Sequence, residues 1–164
     1  IKFSQATPEE KEHESQVKLV EVIAYCLMPN HFHLLLQQLQ DNGISTFIRK
    51  LLNSYARYFN TKNERIGPSF QGQFKAVRIE SDEQLLHLTR YIHLNPLVGY
   101  VVKDLRNFEW SSYLDYINQG NNQLCQRSTI EKLVSLKDYE QFVMNQVDYA
   151  KQLDQIKHLL LNCD

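Results

Sequence analysis

The sequence predicts an α+β domain, and three observations carry that reading. Residues 20–28 (VEVIAYCLM) and 31–37 (HFHLLLQ) favour extended structure and flank Pro29-Asn30, a turn signal, so together they fit an antiparallel hairpin. Both faces of that hairpin are largely apolar, which places it in the middle of a sheet. A long helical pattern follows, in which Ile44, Phe47, Ile48, Leu51, Leu52, Tyr55 and Phe59 recur on one side. Arg49, Lys50, Asn53 and Arg57 fall elsewhere, so the apolar stripe is expected on the sheet and the basic side in solvent.

The remaining elements follow in order. Thr7-Pro8-Glu9-Glu10 opens a helix, with a threonine cap and proline at the first helical position, and that helix should end before Val17. After the long basic helix, residues 65–68 (RIGP) break the pattern and residues 70–72 make a turn. Residues 74–79 (FKAVRI) read as a third strand carrying Lys75 and Arg78. Ser81 with Gln84 forms a capping box, and the helix it opens buries Leu85, Leu88 and Ile92. Asn95-Pro96 is expected to end that helix, because a residue before proline avoids helical angles. Residues 98–102 lead into Trp110-Ser111-Ser112-Tyr113. After Gly120-Asn121-Asn122, polar helices are expected over roughly 129–134, 136–143 and 148–161. The resulting division is a domain over 1–118 and a helical C-terminal extension over 119–164.

Composition narrows the classes. With 164 residues, 43% hydrophobic and 23% charged, the chain suits one compact domain with a helical annex and is neither disordered nor fibrous. No apolar run approaches the roughly 20 residues that a membrane helix requires. The chain opens on Ile1, so it is expected to be a fragment, and the lack of a signal peptide proves little. Cys26, Cys125 and Cys163 form no C-x-x-C pair and are expected as reduced thiols. The formal charge is −1, but between Ile44 and Ile79 seven cations face one anion, Glu64, a local charge of +6 that leaves −7 for the rest. A basic middle between acidic ends is the footprint of a polyanion-binding face, or equally of a solvated helix.

Two constellations could carry chemistry. His31 and His33 lie two apart on a strand, so both imidazoles point to one side and can chelate a divalent metal; a solvent-facing histidine pair has the same spacing. His87, Tyr91 and Asn95 lie four apart on one helix, so they share a face offset from the leucine stripe. A tyrosine one turn before a carboxamide presents a nucleophile and a neutral oxygen ligand together; the alternative is a phenol packed at a helix edge with Asn95 as a terminal cap. Tyr58, beside Arg57, is a candidate for base stacking.

Four motifs in order resemble the single-tyrosine transposases. Residues 28–35 (MPNHFHLL) look like their strand with two histidines around a hydrophobic residue, and residues 69–75 (SFQGQFK) like their hairpin. Residues 90–96 (RYIHLNP) look like their catalytic helix, and residues 110–113 (WSSY) like the segment that follows it. The nearest subgroup is the REP-associated tyrosine transposases, bacterial relatives of the smallest insertion-sequence transposases. The resemblance implies a ferredoxin-like antiparallel sheet with helices packed on it, whose first family strand this chain is expected to lack. It implies Tyr91 as nucleophile and His31, His33 and Asn95 as metal ligands; such a mixed donor set suits Mg²⁺ or Mn²⁺, and the basic stretch itself offers Arg49, Lys50, Arg57, Lys75 and Arg78, with Tyr58 for stacking, as DNA contacts. The implied reaction is cleavage and rejoining of single-stranded DNA at hairpin-associated sites through a 5′-phosphotyrosine, in a bacterial cytoplasm near the nucleoid. The implied partners are single-stranded or hairpin DNA and no membrane, with a homodimer as an option. Family members commonly carry arginine where this chain has Gln73, which removes one phosphate contact.

Three rivals stand beside this reading. The fold could serve as a hairpin-binding protein or repressor without catalysis. A phosphodiesterase using water would hydrolyse DNA without an adduct. A purely structural domain would leave His31, His33, Tyr91 and Asn95 apart in space.

Overall fold

The computed structural model describes residues 17–122, 124–148 and 150. The architecture is α+β: a two-stranded antiparallel sheet with helices packed on it. Strand β1 (Val20–Leu27) pairs with β2 (Phe32–Gln38), in a register that sets Cys26 opposite His33 and Tyr25 opposite Leu34. A bulge between Val22 and Ala24 inserts Ile23 as an extra residue and bends the strand. The turn is closed by the Met28 amide donating to the His31 carbonyl at 2.9 Å.

The other edge of β1 is also taken. Leu27 donates its amide to the Trp110 carbonyl at 2.8 Å, and Ser112 donates to the Tyr25 carbonyl at 3.0 Å, around a bridge between Cys26 and Ser111. Further along, Gln126 donates to the Val22 carbonyl at 2.8 Å beside a parallel bridge from Val22 to Cys125. These bridges correct the expectation of a third strand at 74–79. Residues 73–80 form no strand, and Val77 is 79% exposed. Phe74 and Val77 stay exposed, so no apolar packing repays the ordering of this segment as a strand, while the second edge of β1 goes to residues 110–112 and 125–126. The expected hairpin at 69–75 is likewise a series of bends, with Gly72 at φ 68°.

Helix α1 (Gly43–Lys62) begins where the sequence predicts. Glycine is required there by a close approach: a Cβ on Gly43 would lie 2.4 Å from the Leu19 carbonyl oxygen. Gly43 and Ile48 are buried, but Leu51 and Tyr55 of the expected stripe are exposed. Helix α2 (Asp82–Val98) opens with the predicted cap: Ser81 Oγ accepts from the Gln84 amide at 3.1 Å, and Gln84 Oε1 accepts from the Glu80 amide at 2.9 Å. It does not end at Asn95. It runs through Pro96 to Val98, because Pro96 and Leu97 are buried and the Gly99 amide closes the last turn on the Asn95 carbonyl at 2.8 Å. Its buried face includes two polar residues, Thr89 and His93, so it is rotated from the predicted stripe of Leu85, Leu88 and Ile92.

A short 3₁₀ turn (Leu105–Asn107) precedes α3 (Tyr113–Tyr116), α4 (Ser128–Glu131) and α5 (Leu136–Met144). Ile130, Tyr139 and Val143 pack in the same core as Ala24, Cys26, Leu35, Ile92 and Leu97. The helix expected at residues 7–16, and residues 151–161 of the one expected at 148–161, lie outside the described residues. No helix among the described residues is long and apolar enough to cross a membrane. Cys26 and Cys125 are free thiols, and burial pushes them up to about 12 and about 11, so both are protonated near neutrality.

At the centre of the core lies His93, fully buried within a cage of the Tyr113, Tyr116 and Tyr139 rings. Burial lowers its pKa from 6.5 to about 3. Between those values the unfolded chain holds the extra proton, so stability is complete above about 6.5 and falls as pH drops toward 3. Chemical denaturation from pH 7 to pH 4 should therefore show the parent losing more stability than His93→Gln, whose amide does not titrate. Equal acid sensitivity would show that other groups dominate.

Candidate active site

The turn and the sheet together position the first two side chains. His31 ends the turn and His33 lies on β2; their rings meet edge to face with centroids 4.9 Å apart. Two imidazoles this close can hold one cation. The Asn30 side-chain oxygen lies 2.6 Å from His31 Nδ1, which makes Nδ1 the protonated nitrogen and leaves the lone pair on Nε2. Asn30 was not among the residues singled out from the sequence, although its place directly before His31 was the available signal.

Tyr91 reaches the same place from α2. Its ring centroid is 5.8 Å from that of His33, and the residue is 48% exposed, so the phenol is open to solvent beside the histidine pair. The other tyrosines near the core are poor nucleophiles. Burial pushes Tyr113 up to about 12 and raises Tyr116 and Tyr139 further. Asn95, one turn beyond Tyr91, is half-buried and donates its side-chain amide to the Tyr91 carbonyl at 2.9 Å. That bond engages the nitrogen, so the side-chain oxygen is the atom with lone pairs to offer. Among the described residues no three His, Cys, Asp or Glu side chains cluster, so a third protein ligand would have to be another type, such as this carboxamide.

His87, on the same helix face by spacing, is otherwise engaged. Its Nδ1 accepts from the Arg90 guanidinium at 2.6 Å, and its Nε2 lies 3.7 Å from Glu83.

The basic residues form a separate group. Arg49, Lys50, Arg57 and Tyr58 are exposed on α1, and Lys75 and Arg78 are exposed on the irregular segment after it. The ion pairs among the described residues are Lys18–Glu21, His87–Glu83, Arg106–Glu140 and Arg127–Glu131, and none draws on these cations. Arg57, Tyr58 and Lys62 line a shallow pocket with Ser54 and Thr61, and Lys62 Nζ sits 5.6 Å from the Tyr58 ring centroid. An aromatic chain links this helix to the histidine strand: Phe32 meets Phe70 at 6.3 Å, Phe70 meets Tyr55 at 5.6 Å, and Tyr55 stacks on Phe59 at 5.8 Å. The sequence offers Phe70 as part of a turn and of the hairpin-like motif, and gives no local sign of this aromatic contact.

Comparison with known proteins agrees with the motifs. Residues 5–95 match the family described as IS200-like transposase. A curated protein of Haemophilus influenzae, named as a REP-associated tyrosine transposase, is 26% identical over 103 residues. The match covers 57% of this chain and spans 58% of that relative's length. No solved structure matches the chain.

Proposed function

This chain belongs to the IS200-like transposase family, and on that footing we propose that it cleaves and rejoins single-stranded DNA at hairpin-associated sites, with Tyr91 as the nucleophile. The observation that supports this most directly is that the His33 ring meets both the exposed Tyr91 ring, at 5.8 Å, and the His31 ring, at 4.9 Å. Neither the rival with scattered residues nor a chance surface tyrosine accounts for three such rings converging from a turn, a strand and a helix.

In this reading, the phenol oxygen of Tyr91 attacks the phosphorus and the bond to the 3′ oxygen breaks. The phenol loses its proton, the departing 3′ oxygen gains one, and the products are a 5′-phosphotyrosine and a free 3′-OH. Because the phosphodiester is exchanged rather than hydrolysed, attack by a 3′-OH can reverse the step without a nucleotide cofactor. His31, His33 and the Asn95 side-chain oxygen would hold Mg²⁺ or Mn²⁺, which when bound would polarise the scissile phosphate. The donor set fits such an ion, since Asn30 already fixes the His31 tautomer that a metal needs and a mixed nitrogen and oxygen set suits Mn²⁺ well. Arg49, Lys50, Arg57, Lys75 and Arg78 would hold backbone phosphates, and Tyr58 would stack on a base.

Three outcomes follow. Incubated with Mn²⁺ and single-stranded oligonucleotides that carry a hairpin and randomised flanks, the parent should form an adduct that survives denaturing electrophoresis and maps to the Tyr91 peptide. Tyr91→Phe should abolish it while retaining DNA affinity; cleavage without an adduct, undiminished in Tyr91→Phe, would instead establish a water nucleophile, and binding without any cleavage would establish a repressor.

Metal binding can be read without activity. Titration with Mn²⁺, followed by electron paramagnetic resonance, should show binding lost in His31→Ala and His33→Ala. Asn95→Ala should be milder, because water can replace one neutral oxygen, and Asn30→Ala should weaken binding by about 10- to 100-fold through loss of the tether. Parental affinity in both histidine variants would remove the metal from the reading.

Salt tests the basic group. If five cations meet phosphates, the logarithm of affinity for single-stranded DNA should fall against the logarithm of salt with a slope of about −3.5. Reversing Lys50 and Arg57 to glutamate should flatten that slope, measured by fluorescence anisotropy. A slope near zero in the parent would make the stretch ordinary solvated surface.

A further inference from the structure

Side chains two positions apart on an α-helix are separated by about 200°, so Tyr91 and His93 point to nearly opposite sides of α2. One side meets His33; the other is fully buried in the core. His93 uses both ring nitrogens there: Nδ1 lies 2.7 Å from the Tyr139 hydroxyl of α5, and Nε2 lies 2.7 Å from Ser112 Oγ.

The hydrogens can be assigned by accounting. Ser112 Oγ accepts from the Tyr25 amide at 2.9 Å and lies 3.2 Å from the Tyr25 carbonyl, to which it can give its own hydrogen. His93 Nε2–H then donates to Ser112, and the Tyr139 hydroxyl donates to Nδ1. Every hydrogen in the set is used once.

This network gives both halves of the site one reference point. Ser112 is bonded to Tyr25 on β1, and the next residue, Cys26, pairs with His33. On the other side, Ser112 is bonded to His93 on the helix that carries Tyr91. The second support of His93 comes from α5, which lies beyond the residues matched to the family. A second contact runs between the same two helices: the Arg90 guanidinium stands 4.5 Å from the Phe142 ring centroid. Arg90 and His93 are three residues apart, so they form one strip facing α5.

We infer that Tyr139 is a positioning residue for strand cleavage, its hydroxyl setting through His93 the rotation of α2 and so the direction in which Tyr91 meets His33. The inference rests on the function proposed above. It makes the helical extension part of the frame that aims the nucleophile. Displacing a reacting group by about 1 Å can slow a reaction about 100-fold, so a small rotation is enough to matter.

The test compares two buried tyrosines in the full chain. Tyr139→Phe keeps the ring and removes the bond to His93. Tyr116→Phe removes an equally buried hydroxyl, which donates to the Ile23 carbonyl at 2.8 Å and has no bond to α2. Adduct formation is measured at saturating concentrations of the randomised hairpin oligonucleotides with Mn²⁺, alongside amide hydrogen exchange over residues 90–95. Tyr139→Phe should slow adduct formation at least about tenfold without raising the half-saturating DNA concentration, and should speed exchange in α2. Tyr116→Phe should do neither. Equal slowing in both variants, or a parental rate in Tyr139→Phe, overturns the inference.

If the parent forms no adduct, the proposed function fails and the exchange measurement alone decides whether Tyr139 holds α2: acceleration confined to Tyr139→Phe upholds that hold, and acceleration in both or neither refutes it. Should Tyr139→Phe not be recovered folded, Phe142→Leu, which removes the ring that stands under Arg90 and against the Tyr139 ring, is expected to show the same slowing, and a parental rate there also overturns the inference.

Discussion

A fully buried imidazole needs partners for both ring nitrogens, and at His93 those partners come from two segments distant in the chain, Ser112 and Tyr139. Leaving either nitrogen unmet would cost about 1–3 kcal/mol. That is a sizeable part of the roughly 5–15 kcal/mol by which a domain is stable. An apolar residue of similar volume could fill the same space, but it would accept many rotations of the helix. Two short bonds at opposite edges of one ring do not. The apolar contacts of Ile92, Leu94 and Leu97 supply buried area, while His93 supplies direction.

The directional demand passes to β1 because that strand is bonded along both edges. On one side it pairs with β2 and so fixes where His33 emerges. On the other it holds residues 110–112 and 125–126 through single bridges. A strand held in this way leaves little freedom for the hairpin that bears the two histidines. The rings in the cleft are therefore brought close by backbone that is fixed elsewhere in the fold.

Much of this was legible in the sequence, and the failures have physical causes. The hairpin, the start of α1 and the Ser81 cap were readable because each depends on local pattern or turn chemistry. The shared direction of His31 and His33 was readable because strand alternation is a local property. The meeting of His33 with Tyr91 was not local; only the resemblance of four ordered motifs brought those segments together. The third strand failed because its residues have suitable propensity but Phe74 and Val77 find no apolar surface to cover. The end of α2 failed because the burial of Pro96 and Leu97 outweighs the preference of the residue before proline. His93 escaped notice because a histidine inside an apolar stripe looks like an interruption until Ser112 and Tyr139 are seen to satisfy it. Periodicity counts apolar side chains, so it cannot register a polar residue whose partners lie 19 and 46 positions away.

Gly43 and Ile48 are buried near the start of α1, and no residue after Leu52 is fully buried. The far part of the helix carries Tyr55 and Tyr58 exposed beside Arg57 and Lys62. A surface held only for its charge would not need aromatic rings in water, and one held only for apolar docking would not need so many cations. Single-stranded DNA presents phosphates and unstacked bases together, so it complements both features at once. The aromatic chain from Tyr55 through Phe70 to Phe32 reaches the strand of the two histidines from its opposite face. The basic helix and the histidine pair thus meet at neighbouring residues of β2, Phe32 on one face and His33 on the other.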